Sequence, residues 1–146
     1  MAVDFSLYVR RAGLTLLNGD ATLAAATGGR IYPPQRPANP VWPFVAWGVA
    51  DVAPFDASCM AGAEISFAVH VFAATGDDGA GEEQASTIAA RVATVLTDAG
   101  EVDLTGYGCP VPAVAQFTWE RTQVMQDATE ADAFHAVVSI RAAIAA

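Results

Sequence analysis

Between Ala61 and Ala99 the apolar residues change their spacing once, and that change dictates most of the fold. From Ala61 to Ala74 apolar and polar residues alternate. Ile65, Phe67, Val69, Val71 and Ala73 fall on one side of an extended chain, Glu64, Ser66 and His70 on the other. The run Gly76-Asp77-Asp78-Gly79-Ala80-Gly81 then breaks the pattern as a loop. From Glu82 to Ala99 the spacing becomes helical, with Ala85, Ile88, Ala89, Val92, Val95, Leu96 and Ala99 in one stripe. Glu82 and Glu83 stand in the first turn, at the positive end of the helix dipole, and Gly100 supplies the stop. A one-faced strand followed by a one-striped helix must bury one against the other.

The flanking segments extend this layered arrangement. Phe5, Val9, Ala12 and Leu16 recur at helical spacing between Val3 and Asn18. Asp20 can cap a short second turn from Leu23 to Ala26, which Gly28-Gly29 ends. Tyr32 to Pro43 holds Pro33, Pro34, Pro37, Pro40 and Pro43, which removes too many backbone donors for a helix or a central strand. This segment is an extended arm or loop. Phe44 to Val52 reads as a strand, as do Val114 to Met125 and Phe134 to Ile144, the last two joined as a hairpin across Gln126 to Asp132. No repeat and no domain boundary interrupts residues 1–146. The expectation is one α+β domain. A mostly antiparallel four-stranded sheet carries an N-terminal helix and a central helix on one face, with a proline-rich arm at 33–43 and an acidic Gly-rich loop at 76–81.

The chain of 146 residues is long enough to bury a core, and 53% hydrophobic against 16% charged residues excludes disorder. No apolar run has the length of a membrane span. Asp4 stands where a secretory leader would carry basic residues, so the expectation is a soluble protein in the cytoplasm. Sixteen acids against seven bases leave a net charge of −9, and every base is arginine. So few, dispersed cations give no footprint for gripping phosphates, though an acidic surface suits a protein past which DNA slides. Cys59 and Cys109 lie in no C-x-x-C pair. In a reducing compartment the default is two free thiols, and a single disulfide is the alternative if the chain leaves the cell.

Each candidate for chemistry has a simpler structural reading. Gly79-Ala80-Gly81-Glu82-Glu83-Gln84 falls one glycine short of a dinucleotide fingerprint, and its acids would repel a pyrophosphate. The same acids lack the ligand spacing of a calcium loop. His70 and His135 belong to no zinc motif, although Glu64, Glu130 and Asp132 could be imagined beside them; surface or interface histidines are the simpler reading. Ser58, Cys59 and Cys109 sit in no nucleophile elbow, and no carboxylate pair is set across a cleft. The residues thus point to no catalysis, no cofactor and no metal. Trp47 and Trp119 read as core or sheet-face residues, whereas Trp42, on the proline-rich arm, wants a partner surface.

Gly29-Arg30-Ile31-Tyr32-Pro33 after a helix, and Pro43-Phe44-Val45 entering a strand, resemble the small tail-completion (tail terminator) proteins of tailed phages, prophages and gene transfer agents. The strand Ile65 to Ala73 leading into the helix Ala85 to Leu96 is similar to that family's centre, and Phe134 to Ala142 resembles its last strand. The resemblance covers nearly the whole chain through the order and spacing of short motifs.

That resemblance implies a virion protein assembled in the bacterial cytoplasm. It forms a ring, usually a hexamer, on the head-proximal end of the tail tube, stops tube growth and offers a docking surface to the head. Its partners would be copies of itself, the tail tube protein and a head-completion or connector protein, with DNA passing through the lumen and no membrane involved. Subunit or tube contacts are expected on the arm (Tyr32, Pro34, Trp42) and on two acidic loops (Asp77 and Asp78; Glu130 and Asp132). The alternatives are another head–tail connector, a tail tube component, or a small cytoplasmic α+β ligand-binding domain or enzyme.

Overall fold

The structure is a computed structural model that describes residues 3–57, 60–75, 80–126 and 133–146; of 55–57 and 60–61 only the backbone is described. Among the described residues three α-helices, α1 (Ser6–Asn18), α2 (Ala21–Thr27) and α3 (Gly81–Thr97), accompany seven strands. These are β1 (Ile31–Tyr32), β2 (Phe44–Trp47), β3 (Asp51–Ala57), β4 (Met60–Ala74), β5 (Glu101–Asp103), β6 (Val114–Gln126) and β7 (Ala133–Ala145). The strands form one sheet in the order β1-β2-β4-β7-β6-β5, and β3 pairs with β4 as well. All pairings are antiparallel except β1 with β2.

The α+β class is as expected, but a four-stranded sheet is not: seven strands stand where the spacing predicted four. The three extra strands leave too little pattern to read. β1 has two residues and β5 three, too short for an alternation to show. β3 arises because the predicted strand Phe44 to Val52 is interrupted. Residues 48–50 oppose only 67–68 between the pairs Trp47↔Val69 and Asp51↔Ser66, so one extra residue is taken up there. At that break Gly48 donates its backbone N–H to the Ala68 carbonyl at 2.8 Å. A Cβ at position 48 would lie 2.6 Å from that same oxygen, so only glycine fits. Pro54 can stay in β3 because the strand lies at an edge of the sheet.

Ile65, Phe67, Val69, Val71 and Ala73 are all buried on the face of β4 that meets α3, as the alternation predicts. The stripe of α3 meets them with Ala85, Ile88, Ala89, Val92 and Leu96, packing across β4, β7 and β6. The small alanines let the helix lie close to the sheet. α1 completes the layer through Val9, Ala12 and Leu17. Its Gly13 faces Trp47, and a Cβ there would stand 2.2 Å from the indole. Cys109 is buried as a free thiol, while Cys59 lies outside the described residues.

Asp20 ties the three helices together. It accepts the Leu23 backbone N–H at 3.0 Å as the N-cap of α2 and takes both Nε and Nη2 of Arg91 on α3, at 3.0 and 2.5 Å. The Arg91 bond, then the Leu23 N–H, hold its carboxyl down from 3.8 to about 2. A carboxylate depressed in the folded state contributes stability that is complete above its unfolded value and disappears as pH falls through its folded value. Asp20→Asn should therefore lower the melting temperature at neutral pH. The gap from the unchanged chain should close as pH falls from 3.8 to about 2. Thermal melts across that range check this, and a gap that persists below pH 2 would refute it.

Candidate interaction surface

The face of the sheet opposite the helices is polar along most of its length and aromatic at one end. Phe44 on β2, Phe72 on β4 and His135 on β7 are directly opposite one another in register, so their side chains meet in a row across three strands. Phe44 stacks on Phe72 at 4.7 Å and 15°, and Phe72 stacks on His135 at 4.3 Å and 11°. His70, two residues before Phe72 and on the same face, places Nδ1 2.8 Å from Nε2 of His135. Burial, then the charge of Arg36, lowers the pKa of His70.

The proline-rich arm closes over this row. Trp42 sets its ring edge-on to Phe44 and Phe72 at 5.6 and 5.8 Å, and Tyr32 lies 6.0 Å from Phe44. The Arg36 guanidinium stands over Phe44 and Phe72 at 5.4 and 4.9 Å, a cation on two ring faces. Arg30 fastens the arm's end, donating from Nε to the Pro43 carbonyl at 3.0 Å and from Nη2 to the Trp42 carbonyl at 3.5 Å. A cleft of about 340 Å³ remains between arm and sheet, lined by Arg36, Asn39, Pro40, Trp42, Phe44 and Phe72.

Trp42 thus has a partner within its own chain, the aromatic end of the sheet, and is half-buried rather than projecting. Pro34 is exposed and Tyr32 half-exposed on the same arm. Asp77, Asp78, Glu130 and Asp132 lie outside the described residues. The histidine–aromatic row was missed from sequence because its members come from three separate segments. The available signal was that His70 and Phe72 share one face of a strand.

Two further features lie elsewhere on the sheet, one on each face. Arg141 lies between Glu64 and Glu120, at 3.7 and 3.6 Å, on the open face. Trp119 is 52% exposed at a groove of about 330 Å³ between α3 and β6, its indole N–H donated to Thr122 at 2.9 Å. Sequence placed Trp47 and Trp119 in the core or on a sheet face; Trp47 is core, 3% exposed, and Trp119 is sheet face.

Among the described residues no three metal-ligating side chains gather. Gly81 is needed because a Cβ there would come within 2.5 Å of Thr75, a packing reason for glycine at the helix start that involves no phosphate. The helices, too, are not membrane spans: none among the described residues is long and apolar enough to cross a bilayer.

Comparison with known proteins agrees with a structural role. Residues 12–145 match the family described as Tail completion protein gp17. No curated protein sequence matches the chain. A chain in the solved structure of the virion of a native gene transfer agent particle superimposes with a TM-score of 0.76 at 25% identity, covering 98% of this chain and 100% of that one. The chain belongs to the tail completion protein gp17 family, a family of phage structural proteins, and its place is in the tail of a virion.

Proposed function

We propose that this protein caps the head-proximal end of the tail tube as a ring, most simply a hexamer, which stops tube growth and presents the head with its docking surface. The observation that carries this reading is the match over the whole of both chains to a component of an assembled gene transfer agent virion. One core runs from Phe5 to Ile144, which supports residues 1–146 acting as a single folding unit.

A ring closes through two unlike surfaces on each copy. The arm with Tyr32, Pro34 and Trp42 supplies one such surface in this reading. The acidic segments carrying Asp77 and Asp78, and Glu130 and Asp132, supply another. Their attachment points are neighbours, because Ala74 at the end of β4 is paired with Ala133 at the start of β7. Six copies would carry six times the −9 of one chain, enough to shape the field around passing DNA if the acids face the lumen.

The test is removal of the gene from a producing strain, followed by imaging of the particles. Tails of uncontrolled length and heads without tails are the expected result. Tails of normal length joined to heads would overturn the proposal. Tubes that fail to form at all would favour a tube component, and normal-length tails without heads would favour a connector.

A further inference from the structure

We propose that copies of this chain join head to tail by continuing the sheet, the open edge of β6 in one copy pairing with residues 49–53 at the β3 edge of the next. The proposal rests on the ring reading and supplies its joint. β5 covers only the start of β6, since its pairing ends at Gln116. Over residues 117–125, β6 pairs with β7 alone among the described strands. Such a stretch presents a row of backbone N–H and C=O groups with no strand on one side. At the other end of the sheet β3 pairs only with β4, and Val49, Ala50, Asp51 and Ala53 are exposed. Pro54, with no N–H to give, ends the stretch that can pair.

Topology fits these two edges to each other. β4 and β6 both run antiparallel to β7, and β3 runs antiparallel to β4. Rotation about a ring axis lying along the strands preserves strand direction and keeps the helices on one side. β6 of one copy therefore meets β3 of the next in antiparallel sense, helix face continuing helix face. The edges also stand level. Asp51 pairs with Ser66, Ser66 with Arg141, and Arg141 with Thr118, so Asp51 and Thr118 occupy one row across the sheet. Residues 48–50 oppose 67–68, whose rows run through Ile140 and Ser139 to Trp119 and Arg121.

Charge and apolar surface match at that level. Arg121 is exposed, and its pairing with Ser139 puts it on the same open face as Arg141. Asp51 is exposed on that face too, opposite Ser66. Neither has an ion-pair partner among the described residues. In the joined sheet they become diagonal cross-strand neighbours of opposite sign. On the helix side, the groove of about 330 Å³ lined by Ala90, Thr94, Trp119 and Val124 is where side chains of an added strand fall. Val49, 85% exposed, stands level with Trp119, 52% exposed, and the joint covers both. Pairing two β6 edges instead would gather two Arg121 side chains and no Asp51, so charge selects the head-to-tail joint.

Cross-linking in assembled particles tests this. Ala50→Cys and Thr118→Cys are placed in one chain on a Cys59→Ser background, Cys109 being buried. Within a copy the two positions lie three strand spacings apart, about 14 Å, out of reach of a shorter bifunctional thiol reagent. Linked multimers should form a ladder that stops at the size of the ring, and neither cysteine alone should give one. Unlinked copies in particles of normal appearance would overturn the joint and leave the cap standing. Thr118→Cys linked to a different virion protein would also overturn it. Normal tails after gene removal, with the ladder present, would remove the cap and keep the joint. In a second arm, Asp51→Arg and Arg121→Asp should each lower particle yield about tenfold or more by setting like charges together. The two combined should recover most of the loss. Thermal melts of all three should match the unchanged chain, since neither side chain is ion-paired within its own copy. Single reversals without effect, or a combination without recovery, would overturn the proposal.

Discussion

Trp47→Ala should lower the stability of the chain by about 3–5 kcal/mol, the range for removing a buried indole, and its melting temperature by about ten degrees. Trp47 is 3% exposed and lies flat on Phe67, with ring centroids 4.4 Å apart and planes at 19°. Its outer edge fills the notch left by Gly13 on α1. The indole is thus the piece that seats the first helix on the sheet, and no neighbour can slide into its place without breaking that contact. Gly13→Ala alone should also destabilise, because its Cβ would meet the indole at 2.2 Å and α1 must withdraw. Combined with Trp47→Ala, the same alanine has room, and it gains about 1 kcal/mol of helix propensity over glycine. The pair should therefore be strongly non-additive, the double variant at least as stable as Trp47→Ala. Chemical denaturation of the four proteins reads this directly. Additive losses would mean that α1 is seated by something other than the glycine–indole contact.

This contact also shows which parts of the fold could be read from sequence. Long periodic segments were legible: the alternation from Ile65 to Ala73 names the buried face of β4, and the stripe from Ala85 to Leu96 names the buried face of α3. Asp20 was legible as a cap because its chemistry is local. Its bond to Arg91 was not, since the partner lies 71 residues away. The extra strands were hidden for a similar reason. β1 and β5 exist because longer neighbours offer them an edge, and the break at Gly48 answers the Ala68 carbonyl rather than any residue near it in sequence.

The candidate surface divides along the same line. The prolines announced an arm, yet what it lies on depends on Phe44, Phe72 and His135 coming opposite one another. Register of that kind is a tertiary outcome, and period-two spacing alone does not state which strands become neighbours. Hence Trp42 read as an aromatic in need of a foreign partner, whereas it meets two phenylalanines of its own chain.

That finding changes what Trp42→Ala should do. The ring is half-buried and edge-on to its neighbours, so its loss should cost the isolated chain about 1–2 kcal/mol, well below the figure for Trp47. The effect on assembly should be far larger. Without the indole, Phe44 and Phe72 are uncovered and the arm around Pro34 and Arg36 loses its main support, so the proposed contact surface loses its shape as well as one side chain. Truncating a central interface aromatic costs about 2 kcal/mol or more, close to thirtyfold in affinity. In a ring the same loss recurs at every joint, so the yield of complete particles should fall by several orders of magnitude while the purified variant remains folded. Particle counts, with circular dichroism of the purified chain as the control, separate the two effects. Particle yields equal to those of the unchanged chain would remove the arm from the interface and leave it a cover for the sheet. A variant that fails to fold would instead place Trp42 beside Trp47 as part of the core, which its half-buried position argues against.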